Sequence, residues 1–193
     1  MSSDAQVIRA IFDDATAAHQ RFAGERLDSI ITAADAVTRS LTNGGQVLAF
    51  GNGGSAADAQ HLVAELVGRF ERERRAFAAV ALTADASVVT TIANDYSYEQ
   101  VFARQIAGLG RRGDIAFGIS TSGRSRNVEL ALDAARANGL VTIALTGRDG
   151  GPIGAHADVH LNVAEPSTAR VQEVHRTILH ALCAIVERRL TTP

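Results

Sequence analysis

Short apolar runs alternate with amphipathic stretches along the chain from residue 46 onward. Such runs, apolar at nearly every position, are typical of strands that are buried on both faces of a sheet. We therefore predict five strands, at residues 46–51, 76–83, 114–120, 140–147 and 158–163. The stretches between them predict helices from about Ala56, over Tyr98–Leu109 and from Asn127 to Asn138. Strands that alternate with helices in this way predict an α/β three-layer sandwich around a parallel, doubly wound, flavodoxin-like sheet.

Two helices are predicted before the first strand and one long helix after the last. Within residues 1–43, apolar side chains of the second helix recur at three- and four-residue steps, and TNGG at 42–45 ends that helix. The last helix, roughly Ser167 to Leu190, has an apolar stripe wide enough to contact more than one neighbour, such as another subunit. No interdomain linker or repeat is visible, so we predict one domain over 1–193, with 1–43 as a helical extension packed on it.

The composition excludes several classes of protein. All 19 cationic residues are arginines, and the lack of lysine excludes Schiff-base catalysis, pyridoxal phosphate anchoring and a Walker-type P-loop. Cys183 is the only cysteine, so we expect neither an internal disulfide nor a cysteine-cluster metal site. The net charge of -2 gives no general reason to bind nucleic acid or a membrane surface. Because the amino-terminal residues lack a signal-peptide pattern and no stretch reaches the roughly 18 apolar residues of a membrane span, we expect a cytoplasmic protein.

Two loops at the ends of predicted strands have the chemistry of a phosphate site. Ligands of open parallel sheets bind beyond the carboxyl ends of the strands, where loops lead into helices. Asn52-Gly53-Gly54-Ser55 follows the first strand, and its glycines let the backbone approach a ligand closely. Residues 120–125 follow the third strand and offer four hydroxyl groups beside a helix N-terminus, which favours an anion. We interpret the two loops as a sugar-phosphate site. N-capping alone is the alternative for the second loop, and a dinucleotide fingerprint is the alternative for the first.

Candidate metal-binding and acid–base side chains lie on two predicted helices. His61 and Glu65 are four residues apart, roughly 40° around a helix axis, so both can point into one site. On the last helix, Gln172 and His180 lie roughly 80° apart, whereas Glu173 and His180 lie roughly 20° apart. Spacing alone therefore does not select Gln172. A solvated surface pair at His61 and Glu65, and a buried structural histidine at His180, stay open as alternatives.

Five segments together carry a resemblance to a known family. They are GNGGSAADAQHLVAELVGRF, IANDYSYEQVFARQ, GDIAFGISTSGRSRNV, ALTGRDGG and ARVQEVHRTILHALCAIVE. From about Gln46 to Glu187 the chain resembles the sedoheptulose 7-phosphate isomerases, also called phosphoheptose isomerases, which have the sugar isomerase (SIS) fold. Any one of these motifs is shared with the wider fold. The His/Glu pair on one helix combined with the Gln/His pair on the last helix makes the resemblance specific.

The resemblance implies which residues form the site. It implies one Zn²⁺ per subunit, with the ligands His61, Glu65, Gln172 and His180. It implies that the substrate contacts Asn52, Gly53, Gly54, Glu65, Asn94, Asp95 and Gln172, and that its phosphate and nearby hydroxyls contact Ser120, Thr121, Ser122 and Ser125. Glu65 and His180 would be the catalytic acid–base pair. The chain departs from the common family pattern at Arg75-Ala76 and at Ala169, positions that carry no implied ligand.

The resemblance also implies an activity and an assembly. The expected reaction interconverts D-sedoheptulose 7-phosphate, a ketose, and D-glycero-D-manno-heptose 7-phosphate, an aldose, by metal-assisted proton transfer in bacterial activated-heptose biosynthesis. The expected assembly is a homotetramer with active sites near the subunit contacts. Two other interpretations stay open, namely a non-enzymatic SIS-domain regulator that binds the replication initiator protein and an isomerase of another sugar phosphate.

Overall fold

Five parallel strands form one sheet in the computed structural model, which describes residues 3–191. The strands are β1 (Val47–Gly51), β2 (Ala79–Ala81), β3 (Ile115–Ser120), β4 (Val141–Gly147) and β5 (Val159–Val163). Their spatial order is β2-β1-β3-β4-β5, and every neighbouring pair is parallel. This is the order of a flavodoxin-like sheet, with its switch point between β1 and β3. The predicted fold class is confirmed.

Eight α-helices and one 3₁₀ turn surround the sheet in the described part of the chain. They are α1 (Asp4–Glu25), α2 (Leu27–Thr42), α3 (Gly54–Val67), α4 (Ala86–Asp95), the 3₁₀ turn Tyr98–Gln100, α5 (Ala103–Leu109), α6 (Arg126–Ala137), α7 (Gly151–His156) and α8 (Thr168–Thr191). Between residues 3 and 191, none of them has the length and apolar character of a membrane span.

The two faces of the sheet carry separate buried cores, because successive side chains of a strand point to opposite faces. In β1, Val47 and Ala49 belong to the core that also contains side chains of α1, α2, α3 and α8. Leu48 and Phe50 belong to the other core, with side chains of α4, α5, α6 and α7. Phe22 of α1 lies in the first core, so the amino-terminal helices share buried contacts with the sheet and with α8.

Three elements differ from the sequence-based prediction. β2 has three residues instead of eight, because it is an edge strand that pairs only with β1 and leaves Val80 40% exposed. The predicted helix Tyr98–Leu109 is divided into the 3₁₀ turn and α5, with Val101 and Phe102 buried between them. Helix α7 was not predicted, because glycine and proline indicate a turn, and here they start a short helix instead.

His175 of α8 is completely buried against the carboxyl end of β4. Its Nε2 donates a hydrogen bond of 2.9 Å to the carbonyl oxygen of Thr146, and its Nδ1 has no hydrogen-bond partner within the described residues. Burial lowers the pKa of His175 to about 4, although the hydrogen bond to Thr146 acts in the opposite direction. His175 is therefore neutral in the folded protein at neutral pH.

We expect acidification to destabilise the fold partly through His175. Below about pH 6.5 this side chain takes up a proton in the unfolded chain, whereas the folded chain does so only near pH 4, so the free energy of unfolding decreases across that window. The pKa difference corresponds to at most about 3 kcal/mol. Urea unfolding between pH 7 and pH 4.5 should show the decrease, with a smaller slope for His175→Gln. Some slope should remain, because the pKa values of His61 and His160 are also lowered. Equal slopes in both proteins would contradict the prediction.

Candidate active site

Two loops lie side by side at the carboxyl ends of β1 and β3. Gly51 of β1 is opposite Ile119 of β3 in the sheet register. Residues 52–53 and 121–125 therefore emerge next to each other and lead into α3 and α6. This is the switch point of the sheet, where ligands bind in folds of this class. The structure brings together the two loops that the sequence predicted as one site.

Both helices that follow these loops begin without a side-chain cap. The N-cap residues are Gly53 for α3 and Ser125 for α6, and neither makes a side-chain capping hydrogen bond. The hydroxyl of Ser125 lies instead 2.9 Å from the hydroxyl of Ser120. N-capping alone therefore does not explain the hydroxyl groups of this loop. Two helix N-termini keep free N–H groups at the switch point, and such groups favour a phosphate.

The hydroxyl groups of the second loop form a compact cluster. Ser120 Oγ lies 3.4 Å from Ser122 Oγ as well as within hydrogen-bond distance of Ser125. Ser120 is buried, and Thr121, Ser122 and Ser125 are half-buried. The cluster thus has one buried hydroxyl, of Ser120, and two partly accessible ones, of Ser122 and Ser125, that a phosphate or a sugar hydroxyl can reach.

The first loop closes against α8. Gly53 has a φ of 55°, which glycine adopts more readily than other residues. A Cβ atom at Gly54 would lie 2.2 Å from Gln172 Nε2, so the Gln172 amide lies directly over this glycine. Asn52 is half-buried and hydrogen-bonded to Asn127 of α6. The loop therefore contacts two helices that both border the switch point.

His61, Glu65 and His180 form one cluster between α3 and α8. His61 Nε2 lies 2.8 Å from His180 Nε2 and 3.2 Å from Glu65 Oε1. One possible ligand atom from each of the three residues lies within 4.8 Å of the others. Two imidazole nitrogens and one carboxylate are a donor set of catalytic zinc sites. The three side chains fit a divalent cation, and they are neither separate surface groups nor core residues, since His61 is 29% and Glu65 22% exposed.

Gln172 lies apart from this cluster. It precedes His180 by eight residues, about 12 Å along the helix axis, and its amide contacts Gly54. Between these two levels, Arg176 donates hydrogen bonds of 3.0 and 2.6 Å to one carboxylate oxygen of Asp58. The assignment of Gln172 as a fourth metal ligand therefore stays a prediction.

A cavity of about 450 Å³ opens between α3 and α8. Its lining residues are Gly54, Ala57, Asp58, Gln172, Glu173 and Arg176. A groove of about 380 Å³ lies at the opposite edge of the sheet, by Val141 and Val159 at the starts of β4 and β5. Because ligands of parallel sheets bind at the carboxyl ends of the strands, the cavity between α3 and α8 is a better candidate than the groove at the opposite edge.

Asn94 and Asp95 are the last two residues of α4, and both are exposed. Asn94 Nδ2 donates a hydrogen bond of 2.8 Å to Asp95 Oδ1. The segment that follows them returns to the first loop, because the Tyr98 hydroxyl lies 3.0 Å from Asn52 Oδ1. A substrate contact of Asn94 or Asp95 stays a prediction.

The surroundings of His61 favour its neutral form. Burial lowers the pKa of His61, and the guanidinium of Arg176 lowers it further, against the opposing charge of Glu65. Burial likewise raises the pKa of Asp58, although Arg176 acts against this. A neutral imidazole is the form that binds a metal ion.

Arg176 was not among the residues predicted for the site, although the sequence contains one signal for it. It lies four residues from both Gln172 and His180, on the same face of α8.

Glu187 and Arg74 form a buried ion pair that the sequence analysis missed. Glu187 accepts hydrogen bonds from the backbone N–H groups of Phe70, Glu71 and Arg72 and from Arg74 Nε. Arg74 Nη2 donates a hydrogen bond of 2.7 Å to the carbonyl oxygen of Glu65. The Phe70 ring lies 5.6 Å from the His180 ring. The ion pair therefore supports the backbone of Glu65 and a neighbour of His180, and no sequence signal connects residues 113 positions apart.

Known proteins share both this fold and much of this sequence. The family model of the SIS domain matches residues 11–147. A phosphoheptose isomerase from Roseiflexus sp. (strain RS-1) is 53% identical over 161 residues, which cover 83% of this chain and 82% of the relative. A phosphoheptose isomerase structure from Neisseria gonorrhoeae matches with a TM-score of 0.92 and 45% identity, covering 96% of this chain and 99% of that one. One from Francisella tularensis matches with a TM-score of 0.94 and 37% identity, covering 97% of this chain and 100% of that one.

The parallel sheet, its order and the two loops at its switch point define a SIS-domain protein. Within that class, the chain belongs to the phosphoheptose isomerase family. The family that the sequence motifs indicated is thereby confirmed.

Proposed function

We propose that this chain is an aldose–ketose isomerase that interconverts D-sedoheptulose 7-phosphate and D-glycero-D-manno-heptose 7-phosphate in bacterial activated-heptose biosynthesis. The observation that carries the proposal is the cluster of His61, Glu65 and His180 close to two uncapped helix N-termini. Membership of the phosphoheptose isomerase family supports the choice of substrate.

The phosphate end of the substrate binds at the switch point. The hydroxyls of Ser120, Thr121, Ser122 and Ser125 and the free N–H groups of α6 offer donors there, and they suit phosphate oxygens. Asn52, Gly53 and Gly54 hold the sugar chain, since two glycines let it approach the backbone. Along α3, His61 lies seven residues beyond Gly54, which is about 10 Å. An elongated seven-carbon substrate fits this separation of the two ends.

Glu65 and His180 carry the protons at the reacting end. The reaction removes a proton from C1 of the ketose and adds one to C2, while a hydroxyl proton moves between the two oxygens, so no atom is gained or lost. A carboxylate accepts a proton from carbon, and an imidazole has a second nitrogen that can exchange a proton with oxygen. Asn94 and Asp95 of α4, with Gln172 of α8, contribute further contacts to the sugar.

A divalent cation, proposed as Zn²⁺, would be held by His61, Glu65 and His180. Gln172 is proposed as the fourth ligand, for which its amide would have to turn from Gly54 toward the cluster. When bound, such an ion polarises the substrate carbonyl and lowers the barrier by several kcal/mol. The donor set supports this assignment, because two nitrogen ligands and a carboxylate suit zinc. Glu65 has two carboxylate oxygens, so one can bind the cation while the other takes the proton.

Chelation is expected to abolish most of the isomerase activity. If the cation supplies several kcal/mol, a chelated sample should convert sedoheptulose 7-phosphate at least about 100-fold more slowly, and Zn²⁺ added back should restore the rate. The conversion is followed by separating the two heptose phosphates after timed incubation. The thermal unfolding midpoint of the chelated sample serves as the control, because it shows that the loss of rate is not a loss of fold.

Two results would contradict the proposal. A chelated chain that interconverts the heptose phosphates at full speed would remove the role of the cation. A metal-loaded chain that is inactive on sedoheptulose 7-phosphate but active on a pentose or hexose phosphate would instead identify an isomerase of another sugar phosphate.

We further propose that residues 1–193, of which the structure describes 3–191, belong to one SIS domain, with 1–43 as its helical extension, and that four copies assemble into a homotetramer. Phe22 of α1 lies in the core shared with α8, which supports the single domain. The exposed apolar side chains of α1 support an assembly, and they are Val7, Ile8, Ile11 and Phe12, at 46–70% exposure. A cytoplasmic location follows from the proposed substrate, because a sugar phosphate is charged and is retained there.

A further inference from the structure

Three side chains from separate elements form a hydrogen-bonded network at the switch point. Asn52 Nδ2 donates to Asn127 Oδ1 at 2.8 Å, and Asn127 Nδ2 donates back to Asn52 Oδ1 at 2.9 Å. The hydroxyl of Tyr98 donates to the same Asn52 Oδ1 at 3.0 Å. Asn52 thus receives hydrogen bonds from α6 and from the 3₁₀ turn. Neither Tyr98 nor Asn127 is among the proposed substrate contacts.

The network leaves the Asn52 side chain with a single free polar function. An amide oxygen has two lone pairs, and an amide nitrogen has two N–H groups. Both lone pairs of Asn52 Oδ1 are used, by Asn127 and by Tyr98. One N–H of Asn52 Nδ2 is used by Asn127, so one N–H group remains for a ligand. In this orientation Asn52 can donate to a ligand oxygen, but it cannot accept from a ligand hydroxyl.

We propose that Tyr98 and Asn127 are positioning residues that fix Asn52 as a hydrogen-bond donor to an oxygen of the bound sugar phosphate. The proposal rests on the proposed function and adds the polarity of this contact and the residues that set it. Asn127 is only 4% exposed, so its side chain is held in place by its surroundings. Tyr98 is 55% exposed and forms the solvent-facing side of the network. Loss of either partner frees Asn52 to rotate its amide and to present the wrong group.

The donated hydrogen bond acts on substrate binding more than on chemistry. Asn52 precedes α3, whereas His61 and Glu65 lie two to three turns inside that helix. Asn52 lies instead beside the loop of residues 120–125. Its partner Asn127 is the second residue of α6, which begins directly after that loop. The contact therefore holds the phosphorylated chain, and its loss is expected to appear in KM.

Tyr98→Phe is expected to raise KM for sedoheptulose 7-phosphate about 3- to 10-fold, with kcat within about 2-fold, because one neutral hydrogen bond is lost. Asn127→Asp should raise KM more, about 10- to 100-fold, because a carboxylate has no N–H to donate to Asn52 Oδ1 and repels it in either orientation of the amide, so the reciprocal pair is lost. Tyr96→Phe is the matched control, since Tyr96 is similarly exposed at 58% and its ring lies on Arg104. It should leave KM, kcat and the thermal midpoint unchanged.

The ¹⁵N-labelled full-length chain gives a readout that does not depend on turnover. In the free protein, Tyr98→Phe should shift the side-chain amide signals of Asn52, whereas Tyr96→Phe should not. Adding sedoheptulose 7-phosphate should shift one N–H signal of Asn52 in the unmodified chain, at lower concentration than in Tyr98→Phe.

Each outcome decides the inference separately from the proposed function. An unchanged KM and an unchanged Asn52 signal in Tyr98→Phe overturn the inference, while an active unmodified chain leaves the proposed function in place. If the unmodified chain shows no isomerisation, the proposed function fails. The addition of sedoheptulose 7-phosphate to the ¹⁵N-labelled chain then decides the role of Tyr98 by itself. A shift of the Asn52 N–H that weakens in Tyr98→Phe then supports the inference, and no shift overturns it.

Discussion

Replacing Glu65 by glutamine is expected to lower kcat for sedoheptulose 7-phosphate about 10²- to 10⁴-fold, the usual contribution of a positioned acid–base group. Glutamine keeps the size of the side chain but cannot take a proton from carbon. His180→Gln is expected to lower kcat in the same range, because the imidazole proposed to exchange the oxygen-bound proton is lost. The measurement is kcat and KM for both variants, with the zinc content of each sample determined in parallel.

The zinc content separates two causes of a loss. A variant that retains its metal but loses turnover has lost the acid–base group, whereas a variant that loses both has lost a ligand. Glu73→Gln is the matched control, since Glu73 is 93% exposed and its carboxylate lies 3.9 Å from Arg69 at the surface. It should have the kcat of the unmodified chain. If Glu65 and His180 act as a unit, the double variant should be little worse than the poorer single variant. Near-normal turnover in both single variants would rule out the assignment.

Four of the five strands were predictable from the sequence to within one residue. β1, β3, β4 and β5 were predicted with one extra residue at the start of each. In β1 and β3 the side chains are buried on both faces of the sheet, and a continuous apolar run is the direct result. β5 is the other edge strand, and its buried apolar residues alternate with the half-buried His160 and Asn162. β2 was predicted at more than twice its length, because apolar composition does not show where an edge strand stops pairing. Helix α7 was missed because glycine and proline are common in turns and also at helix starts.

The site was predictable only in part. The His61–Glu65 pair follows from helical spacing, and the two loops follow from their place after β1 and β3. Spacing could not select His180 as the partner of His61, because that contact depends on how α8 packs against α3. The choice came from the family resemblance. The cluster of these three residues agrees with it, whereas Gln172 lies at Gly54, about two turns away.

The sequence could not predict the ion pairs that α8 makes with α3 and with the segment after it, because these pairs depend on how the elements pack. Asp58 could be placed on α3 and Arg176 on α8, but nothing in either local pattern joins them. Arg74 lies in a segment without periodicity, and its buried position follows only from the acceptors around it. Tertiary contacts of this kind decide which charged side chains are structural.

The ionisation of Glu187 follows from its hydrogen bonds. Burial alone would raise the pKa of Glu187, but hydrogen bonds from the backbone N–H groups of Glu71, Arg72 and Phe70 and from Arg74 outweigh burial and lower it. Glu187 is therefore charged at neutral pH and balances the charge of Arg74, and both side chains are only 3% exposed. Three backbone N–H groups and one guanidinium depend on this single carboxylate.

Glu187→Gln is therefore expected to lower the free energy of unfolding by about 3–5 kcal/mol, because it leaves the Arg74 charge buried without a counter-charge. Glutamine also points an N–H group toward backbone donors that need an acceptor. For a chain of this length, a loss of that size lowers the thermal midpoint by about 6–20 °C. Urea and thermal unfolding at pH 7 measure the change, with Glu73→Gln as the control in the same segment. That exposed carboxylate is paired only at the surface, so its loss should leave both midpoints unchanged. Equal midpoints for the two variants would show that the Arg74–Glu187 pair does not hold the segment after α3.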